Sequence, residues 1–296
     1  MTWEFEKVAG PYNGRTGGLA WDGNAMLFSA VQEERVLRFD PATGTTDVLR
    51  KYTGRTNGLA IAADGSVFGA QEGGRRVIQF LKDGSTAQTK DLLGGKHHNQ
   101  PADVIVDSKG RLWIADPYNS TPAYGPPVYP YLDHASVLRL ERGSRPRAWK
   151  LKRMTHDTVG PRAVLLSVDE KTLYVADGDV DRGDVCQLFA YPVKPDGELG
   201  PIKVLVSLMF TERGIEGMCL DSEGNIVACA GWTKSVGGPV IYMISPAGTI
   251  LETHPAPADM PMRCAFGDAG LTSLYVTAGN GGLYRAKNTG HRGAQR

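Results

Sequence analysis

The chain has 296 residues, of which 41% are hydrophobic and 22% are charged, and this composition excludes a predominantly disordered protein. A formal net charge of +1 offers no basic surface for nucleic acid and no attraction to an anionic membrane, so neither is expected as a partner. No stretch approaches the ~18 apolar residues of a spanning helix, and the N-terminal segment lacks the features of a signal peptide, so we expect a cytoplasmic protein.

One sequence unit recurs along the chain. It consists of a short motif of small or polar residues, an apolar strand, a turn with Asp-Gly or an equivalent, and a second apolar strand. Successive copies begin at Gly17, Asn57, Ala102, Arg162, Glu216 and Arg263. A repeat of roughly 40 to 60 residues that contains several short strands is typical of the blades of a β-propeller.

Each unit continues into further strands in which apolar side chains alternate, a pattern that indicates strands with a buried face. Third strands are predicted at Arg35–Phe39, Arg76–Phe80, Val137–Leu140 and Val240–Ile244, and fourth strands at Thr46–Leu49, Ile202–Val206 and Thr249–Glu252. We therefore predict an all-β fold, a six-bladed β-propeller with four-stranded antiparallel blades. Residues 1–286 form its single domain, a strand near Trp3-Glu4-Phe5 completes the last blade, and 287–296 form a polar, frayed C-terminal tail.

The beginnings of the repeats nominate a candidate site. In a ring of blades the innermost strand of each blade starts near the central axis, so the first residues of all copies converge at one end of the channel. The converging residues are Gly17, Asn57, Ala102, Asp103, Arg162, Glu216 and Arg263. A small-molecule substrate is the expected partner at such a channel mouth, whereas the oligomeric state stays open.

Two segments carry a resemblance to a known family. Pro101–Asp107 followed by Leu112–Pro117 is similar to PNDVVVD…WFTDP, and Gly160–Ala163 with Ser167–Asp177 is similar to RPNGLALSPDEKTLYVAD. The sequence thus resembles the senescence-marker/gluconolactonase family of regucalcin-like lactonases. The resemblance implies a six-bladed propeller and hydrolysis of a lactone or a related carbonyl compound.

Members of that family typically hold a divalent metal, often calcium or zinc, on a Glu, two Asn and an Asp. The matching positions here carry Gly17, Ala102, Arg162 and Glu216. Calcium needs six or more oxygen ligands, and a guanidinium is a permanent cation that cannot coordinate it. We therefore predict no cofactor, and calcium or zinc is implied by the resemblance alone. A displaced metal would use Glu216, Asp103 and Asn57.

The substituted positions suggest a different chemistry. Arg162 and Arg263 would bind a carboxylate or polarise a carbonyl oxygen in place of a metal. Glu216 would orient Arg162 or act as general base, and Asp103 is a second carboxylate for acid–base catalysis. The alternatives are a metal-free lyase, isomerase or cyclase, and a non-catalytic anion-binding protein. A further alternative is a buried salt bridge that only fills space.

Residues around the third repeat are secondary candidates. His98 could act as general acid or base, and His97, Tyr118, Tyr124 and His134 could contact substrate, since the Pro- and Tyr-rich insertion that follows the repeat resembles a lid or a binding wall. Loop exposure favours an ordinary solvated position for either of the paired histidines.

The cysteines favour a structural interpretation. Cys186, Cys219, Cys229 and Cys264 lie within or beside apolar runs and show no CxxC spacing. We predict buried free thiols and neither disulfides nor a zinc site.

Overall fold

The computed structural model describes residues 2–118, 129–145, 148–178, 183–208 and 213–295. Within these residues the strands form six four-stranded antiparallel sheets and one two-stranded hairpin, so the predicted six-bladed propeller is confirmed. One short 3-10 helix, Ala269–Leu271, lies in a turn of the last blade. No helix in the described part of the chain is both long and apolar enough to span a bilayer.

The first half of the ring contains three blades. Blade 1 is formed by β2 (Thr16–Trp21), β3 (Met26–Ala30), β4 (Arg35–Asp40) and β5 (Thr45–Lys51). Blade 2 is formed by β6 (Thr56–Ile61), β7 (Val67–Gln71), β8 (Arg76–Phe80) and β9 (Thr86–Gln88). The hairpin β10 (Leu92–Leu93) and β11 (Lys96–His97) leads to blade 3, formed by β12 (Asp103–Val106), β13 (Leu112–Asp116), β14 (Ser136–Arg142) and β15 (Trp149–Arg153).

The second half repeats this order and closes the ring. Blade 4 is formed by β16 (Ala163–Leu166), β17 (Thr172–Asp177), β18 (Gln187–Pro192) and β19 (Lys203–Ser207). Blade 5 is formed by β20 (Ile215–Leu220), β21 (Ile226–Ala230), β22 (Val240–Ile244) and β23 (Ile250–Pro255). Blade 6 is formed by β24 (Pro261–Gly267), β25 (Ser273–Ala278), β26 (Leu283–Ala286) and the N-terminal β1 (Phe5–Ala9).

The hydrophobic core is divided among the borders between blades. Each border between neighbouring blades has one buried apolar cluster. A strand supplies alternate residues to two borders: in β3, Met26 and Phe28 face blade 6 and Leu27 faces blade 2. Strands buried on both faces read as continuous apolar runs, which is why the second strand of each repeat stands out in the sequence.

Ring closure uses both ends of the chain. β1 pairs with β26 in antiparallel register, Phe5 opposite Ala286, so the predicted closing strand is confirmed and begins at Phe5. The prediction that the tail is frayed is wrong. Trp3 stacks on His254 at 3.8 Å between ring centroids and donates a hydrogen bond to the Thr289 carbonyl, while His291 lies 3.0 Å from Glu252. A buried aromatic anchor therefore holds the C-terminal segment against blade 5.

All four cysteines are free, as predicted. Cys186, Cys229 and Cys264 are buried and Cys219 is partly buried. The Sγ atoms of Cys219 and Cys264 lie 3.6 Å apart across the border between blades 5 and 6, where they pack with the apolar cluster of that border.

Glycines at the repeat starts allow the inner strands to approach the axis closely. A Cβ atom on Gly58 would lie 2.7 Å from the Asp103 Cα, and one on Gly217 would lie 2.4 Å from the Met262 carbonyl oxygen. Backbone sits in the space that a side chain would need, so only glycine fits. These contacts join the inner strand of one blade to that of the next.

We expect Gly217→Ala to lower the free energy of unfolding by about 1–3 kcal/mol, since its methyl group can be accommodated only if β20 and β24 move apart. Urea unfolding followed by tryptophan fluorescence measures the change. Gly237→Ala is the matched control, because a Cβ there meets nothing within 4 Å. Equal stability of the two variants would contradict the proposed packing role.

Candidate functional site

The residues nominated by the repeats lie where the inner strands begin. Gly17 and Asn57 are the second residues of β2 and β6, Asp103 is the first residue of β12, and Glu216 is the second of β20. Arg162 immediately precedes β16, and Arg263 is the third residue of β24. The inner strands of successive blades contact one another around a closed ring, so these positions surround one end of the channel.

Glu216 forms an ion-pair cluster at the border of blades 4 and 5. Its Oε1 atom lies 2.8 Å from Arg213 Nη2 and 4.0 Å from Arg162 Nη1. Although burial favours the neutral acid, the guanidinium groups of Arg213 and Arg162 lower the pKa of Glu216 to about 2. Glu216 is therefore ionised at neutral pH, and a carboxylate of such low pKa is a weak base. Its arrangement suits the orientation of two arginines.

A small pocket opens beside this cluster. It is lined by Arg162, Asp177, Gly178, Cys186, Arg213, Gly214, Ile215 and Glu216. The side chain of Arg162 is 26% exposed, whereas that of Glu216 is 8% exposed. Arg162 is thus the most exposed side chain of the cluster.

Arg263 crosses the channel. It belongs to blade 6, yet its Nη2 atom donates a hydrogen bond of 2.8 Å to the Ala102 carbonyl of blade 3, on the opposite side of the ring, and one of 3.4 Å to the Arg162 carbonyl. Nη1 donates to the Met262 carbonyl at 3.0 Å. The side chain is 6% exposed. Its hydrogen bonds join the backbone of blades 3, 4 and 6 at the channel mouth.

Asp103 is the counterpart of Arg263. Its Oδ1 atom lies 3.5 Å from Arg263 Nε, and its Oδ2 atom accepts a hydrogen bond of 3.1 Å from the Val164 backbone N–H. Burial raises the pKa of Asp103, although the Arg263 charge opposes the shift. The two carboxylates at the axis therefore have pKa values displaced in opposite directions, Glu216 downward and Asp103 upward, which is the condition for a division of acid–base roles.

A second ion-pair cluster, absent from the sequence predictions, lies at the border of blades 1 and 2. Glu72 forms ion pairs with Arg15 and, at 3.3 Å, with Arg55, and Asn57 Nδ2 donates to Glu72 Oε2 at 3.2 Å. A signal for it was present in the sequence. Gly14-Arg15-Thr16 and Gly54-Arg55-Thr56 repeat the same tripeptide directly before the nominated positions of the first two copies.

Asn57 also fills the space next to Gly17. A Cβ atom on Gly17 would lie 2.9 Å from both the backbone oxygen and the Oδ1 atom of Asn57. The side chain that is missing from blade 1 is thus replaced by one from blade 2.

Buried aspartates hold the loops that lead to the inner strands. Asp116, at the end of β13, accepts a hydrogen bond of 2.9 Å from the Asn99 backbone N–H. Asp177, at the end of β17, accepts one of 2.9 Å from the Gly160 backbone N–H. Asn99 lies just before Ala102 in the chain, and Gly160 lies just before Arg162. The two carboxyl groups therefore position the loops that start blades 3 and 4.

Asp116 predicts a pH dependence of stability. Burial raises its pKa to about 8, although the Asn99 N–H and the nearby Arg75 oppose the shift. An unfolded aspartate ionises near pH ~4, so between about pH 5 and 8 only the folded form keeps the proton. Stability contributed by the neutral acid falls as pH rises through this window, by at most ~1.4 kcal/mol per pH unit.

We expect Asp116→Asn to flatten this slope, because the amide cannot ionise. Urea midpoints measured from pH 5 to 9 test the expectation, and Asp47→Asn in the exposed edge strand β5 is the control. Parallel curves for Asp116→Asn and the unmodified protein would show that another group causes the slope.

The paired histidines occupy different environments. His97 lies in β11 and is partly buried, whereas His98 is fully buried, so the predicted solvated position is wrong for His98. Burial lowers the pKa of His98 to about 4, and the other groups that act on its pKa are Lys90, Asp91 and His97. His98 is thus neutral at pH 7.

The remaining candidates cluster near the start of β14. His134 Nδ1 lies 2.9 Å from Ser136 Oγ, and burial and the Arg153 charge lower the pKa of His134. Tyr118 packs on Tyr131 with ring centroids 5.8 Å apart. Tyr124 lies outside the described residues. A substrate role for these residues stays a prediction.

The side chains at the mouth do not fit a divalent cation. Gly17 and Ala102 offer no side-chain oxygen, and Glu216 and Asp103 each face guanidinium groups. Asn57 donates its Nδ2 hydrogen bond to Glu72, and its buried Oδ1 atom, which accepts no hydrogen bond, is the one neutral side-chain oxygen among these described positions. Among the described residues no group of three His, Cys, Asp or Glu side chains is placed to hold a metal ion. A cation here would be repelled by the arginines that already neutralise the carboxylates.

Comparison with known proteins gives a consistent result. The model of the family described as "SMP-30/Gluconolactonase/LRE-like region" matches residues 16–280. Rabbit regucalcin (Oryctolagus cuniculus) is 31% identical over 263 residues, which cover 88% of this chain and 80% of the rabbit protein. The 6-deoxy-6-sulfogluconolactonase of Pseudomonas putida is 23% identical, covering 84% of this chain and 80% of that enzyme.

Solved structures agree on the fold. A gluconolactonase from Xanthomonas campestris superposes with a TM-score of 0.82 at 26% identity, covering 96% of this chain and 89% of that one. The calcium-binding protein regucalcin from Agrobacterium tumefaciens superposes with a TM-score of 0.77 at 16% identity, covering 99% and 96% of the two chains.

Proposed function

Because this chain belongs to the SMP-30/gluconolactonase/LRE-like family, we propose that it is an enzyme that hydrolyses a small lactone or ester at the channel mouth. Guanidinium groups act there in place of the metal that the family typically holds. Lactonases among the relatives support hydrolysis of a small carbonyl compound as the reaction class. Fold alone does not fix chemistry, so the side chains at the mouth carry the rest of the proposal.

The observation that carries it is the Arg162–Glu216–Arg213 cluster. Ester hydrolysis passes through a tetrahedral intermediate with negative charge on the former carbonyl oxygen, and preorganised donors at that oxygen accelerate the reaction. The partly exposed Arg162 provides such donors beside a pocket, and the ionised Glu216 keeps it oriented. An arginine supplies both charge and directional N–H groups to an oxyanion.

Asp103 is the proposed general base. In its ionised form it accepts a proton from a water molecule as the water oxygen attacks the carbonyl carbon. The same proton then passes to the ring oxygen when the carbon–oxygen bond of the lactone breaks, and the product is a hydroxy acid. A raised pKa makes Asp103 a stronger base than an ordinary aspartate, whereas Glu216 with a pKa of about 2 is unsuited to that role.

Arg263 has a positioning role in this proposal. Its donors are engaged by the Ala102, Met262 and Arg162 carbonyls, and its Nε lies next to Asp103. It therefore places the base and the backbone of Arg162 relative to each other. The positive charge also limits how far burial raises the pKa of Asp103.

The test is a lactone panel assayed on protein purified without added metal. Metal content is determined by mass spectrometry, and ring opening is followed by proton release with and without chelator. We expect turnover that the chelator leaves unchanged. Stoichiometric metal with chelator-sensitive turnover would overturn the proposal. Products that keep the elements of the substrate without added water, identified by NMR, would instead indicate a lyase, isomerase or cyclase.

A non-catalytic anion-binding protein gives a separate result. Such a protein binds carboxylates in calorimetry, loses that affinity when Arg162 is replaced, and turns over no member of the panel.

A further inference from the structure

The channel mouth has two ion-pair clusters of the same composition. The first contains Arg162, Glu216 and Arg213, and the second contains Arg15, Glu72 and Arg55. In each, two arginines share one glutamate, so each cluster keeps a surplus of one positive charge. The proposed hydrolysis uses the first cluster and gives the Arg15–Glu72–Arg55 cluster no role.

The two clusters face each other. One lies at the border of blades 1 and 2 and the other at the border of blades 4 and 5, and in a ring of six blades these borders are opposite. Arg263 spans the axis between them, from blade 6 to the Ala102 carbonyl of blade 3. The positive charge of Arg15 contributes to the lowered pKa of Glu216, which places Arg15 within electrostatic range of the first cluster.

In both clusters the arginine side chains are more exposed than the glutamate side chain that they share. Arg15 and Arg55 are 25% and 20% exposed, whereas Glu72 is 7% exposed. The side chains of Arg162 and Arg213 are 26% and 15% exposed, whereas that of Glu216 is 8% exposed. A solute in the channel mouth therefore meets two positively charged clusters, or cationic poles, on opposite sides of the ring. In each pole the two arginines pair with one less exposed carboxylate. Paired arginines with fixed geometry are well suited to bind a carboxylate through charge-assisted hydrogen bonds.

We propose that the Arg15–Glu72–Arg55 cluster is an acid-recognition subsite that binds a carboxylate group of the substrate while the opposite cluster binds the reacting carbonyl. This inference rests on the proposed function. It makes the substrate a lactone that carries one carboxylate, and the product a hydroxy dicarboxylate. Neutral lactones reach the same site but have no carboxylate that the Arg15–Glu72–Arg55 cluster can bind.

The charge balance of the reaction agrees with this arrangement. Water adds to the lactone carbonyl, the ring carbon–oxygen bond breaks, the ring oxygen takes one proton, and the new carboxylic acid releases another to solvent. A substrate with one negative charge thus passes through an intermediate with two, on the carboxylate and on the oxyanion. Each charge has its own cationic pole, and the opposed positions of the poles keep the two negative charges apart.

A matched pair of substrates separates this inference from the proposed function. The 1,4-lactones of gluconic acid and glucaric acid differ only at the terminal carbon, which is a hydroxymethyl group in the first and a carboxylate in the second. We expect kcat/KM to favour the glucaric lactone by about 10- to 100-fold, the range of hydrogen bonds to a charged group. In Arg55→Gln, which leaves Glu72 paired with Arg15, the ratio should fall towards unity. Arg38→Gln, in the exposed pair with Asp22, is the control and should keep the ratio.

Equilibrium binding of the open-chain acids gives a second, independent measurement. Glucarate should bind more tightly than gluconate in calorimetry, and Arg55→Gln should remove the difference. Hydrolysis of both lactones with equal kcat/KM, or equal affinity for the two acids, overturns the subsite and leaves the proposed function standing. Absence of turnover together with Arg55-dependent glucarate binding supports the subsite and overturns the proposed hydrolysis.

Discussion

Replacing Arg162 with alanine is expected to lower kcat/KM for lactone hydrolysis by about 10²- to 10³-fold, the loss found when a donor to an oxyanion is removed. Arg213 still lies 2.8 Å from Glu216 in this variant, so the buried carboxylate keeps a partner and the fold should be retained. The measurement is steady-state hydrolysis of the best lactone of the panel, with the urea midpoint recorded in parallel.

Two further variants give this experiment its controls. Arg162→Lys keeps the charge but not the forked donor geometry, so it should recover only part of the activity. Arg38→Ala removes a half-buried arginine of β4 that lies outside the channel-mouth clusters, and it should not change hydrolysis. If Arg162→Ala hydrolyses the substrate as fast as the unmodified protein, the oxyanion role is excluded, and a metal held by other residues becomes the better explanation.

Replacing Arg263 with alanine is expected to lower the free energy of unfolding by about 3–5 kcal/mol, the usual cost of removing one partner from a buried pair. The change leaves the Asp103 carboxylate without its guanidinium and removes the donors to the Ala102 and Met262 carbonyls. Because an unpaired Asp103 can relieve the cost by taking up a proton, the loss should be larger at pH 8 than at pH 5. Urea unfolding at both pH values measures it.

The double variant Asp103→Ala/Arg263→Ala should be more stable than Arg263→Ala at pH 8, since no unpaired charge remains in the channel. Arg38→Ala again serves for comparison, because an exposed ion pair contributes less than ~1 kcal/mol. A loss for Arg263→Ala no greater than that of Arg38→Ala would mean that the contacts across the channel do not hold the ring together.

These variants separate two uses of arginine at one channel mouth. Arg162 is partly exposed, lies beside a pocket and shares its carboxylate with a second arginine, so its removal should act on chemistry. Arg263 is buried and bound to carbonyl groups of opposite blades, so its removal should act first on stability. The sequence alone placed Arg162 in catalysis and Arg263 in substrate binding, and it did not indicate that Arg263 holds the backbone of opposite blades.

The sequence by itself determined the fold. Apolar alternation and turn residues are local signals, and six copies of them leave few architectures other than a closed ring. The same reasoning located the mouth, because the register of each repeat places its first residue at the axis. The closing strand and the free cysteines followed from equally local patterns and agree with the structure.

Only the tertiary structure decided which groups meet. Arg263 pairs with Asp103, and Glu72 pairs with Arg15, across large separations in the chain that no local pattern encodes. His98 is buried although it sits in a polar stretch, and the tail is anchored by the stack of Trp3 on His254. Each outcome depends on side chains brought together by ring closure. The physical reason is that burial and ion pairing depend on distances through space, whereas the sequence reports only distances along the chain.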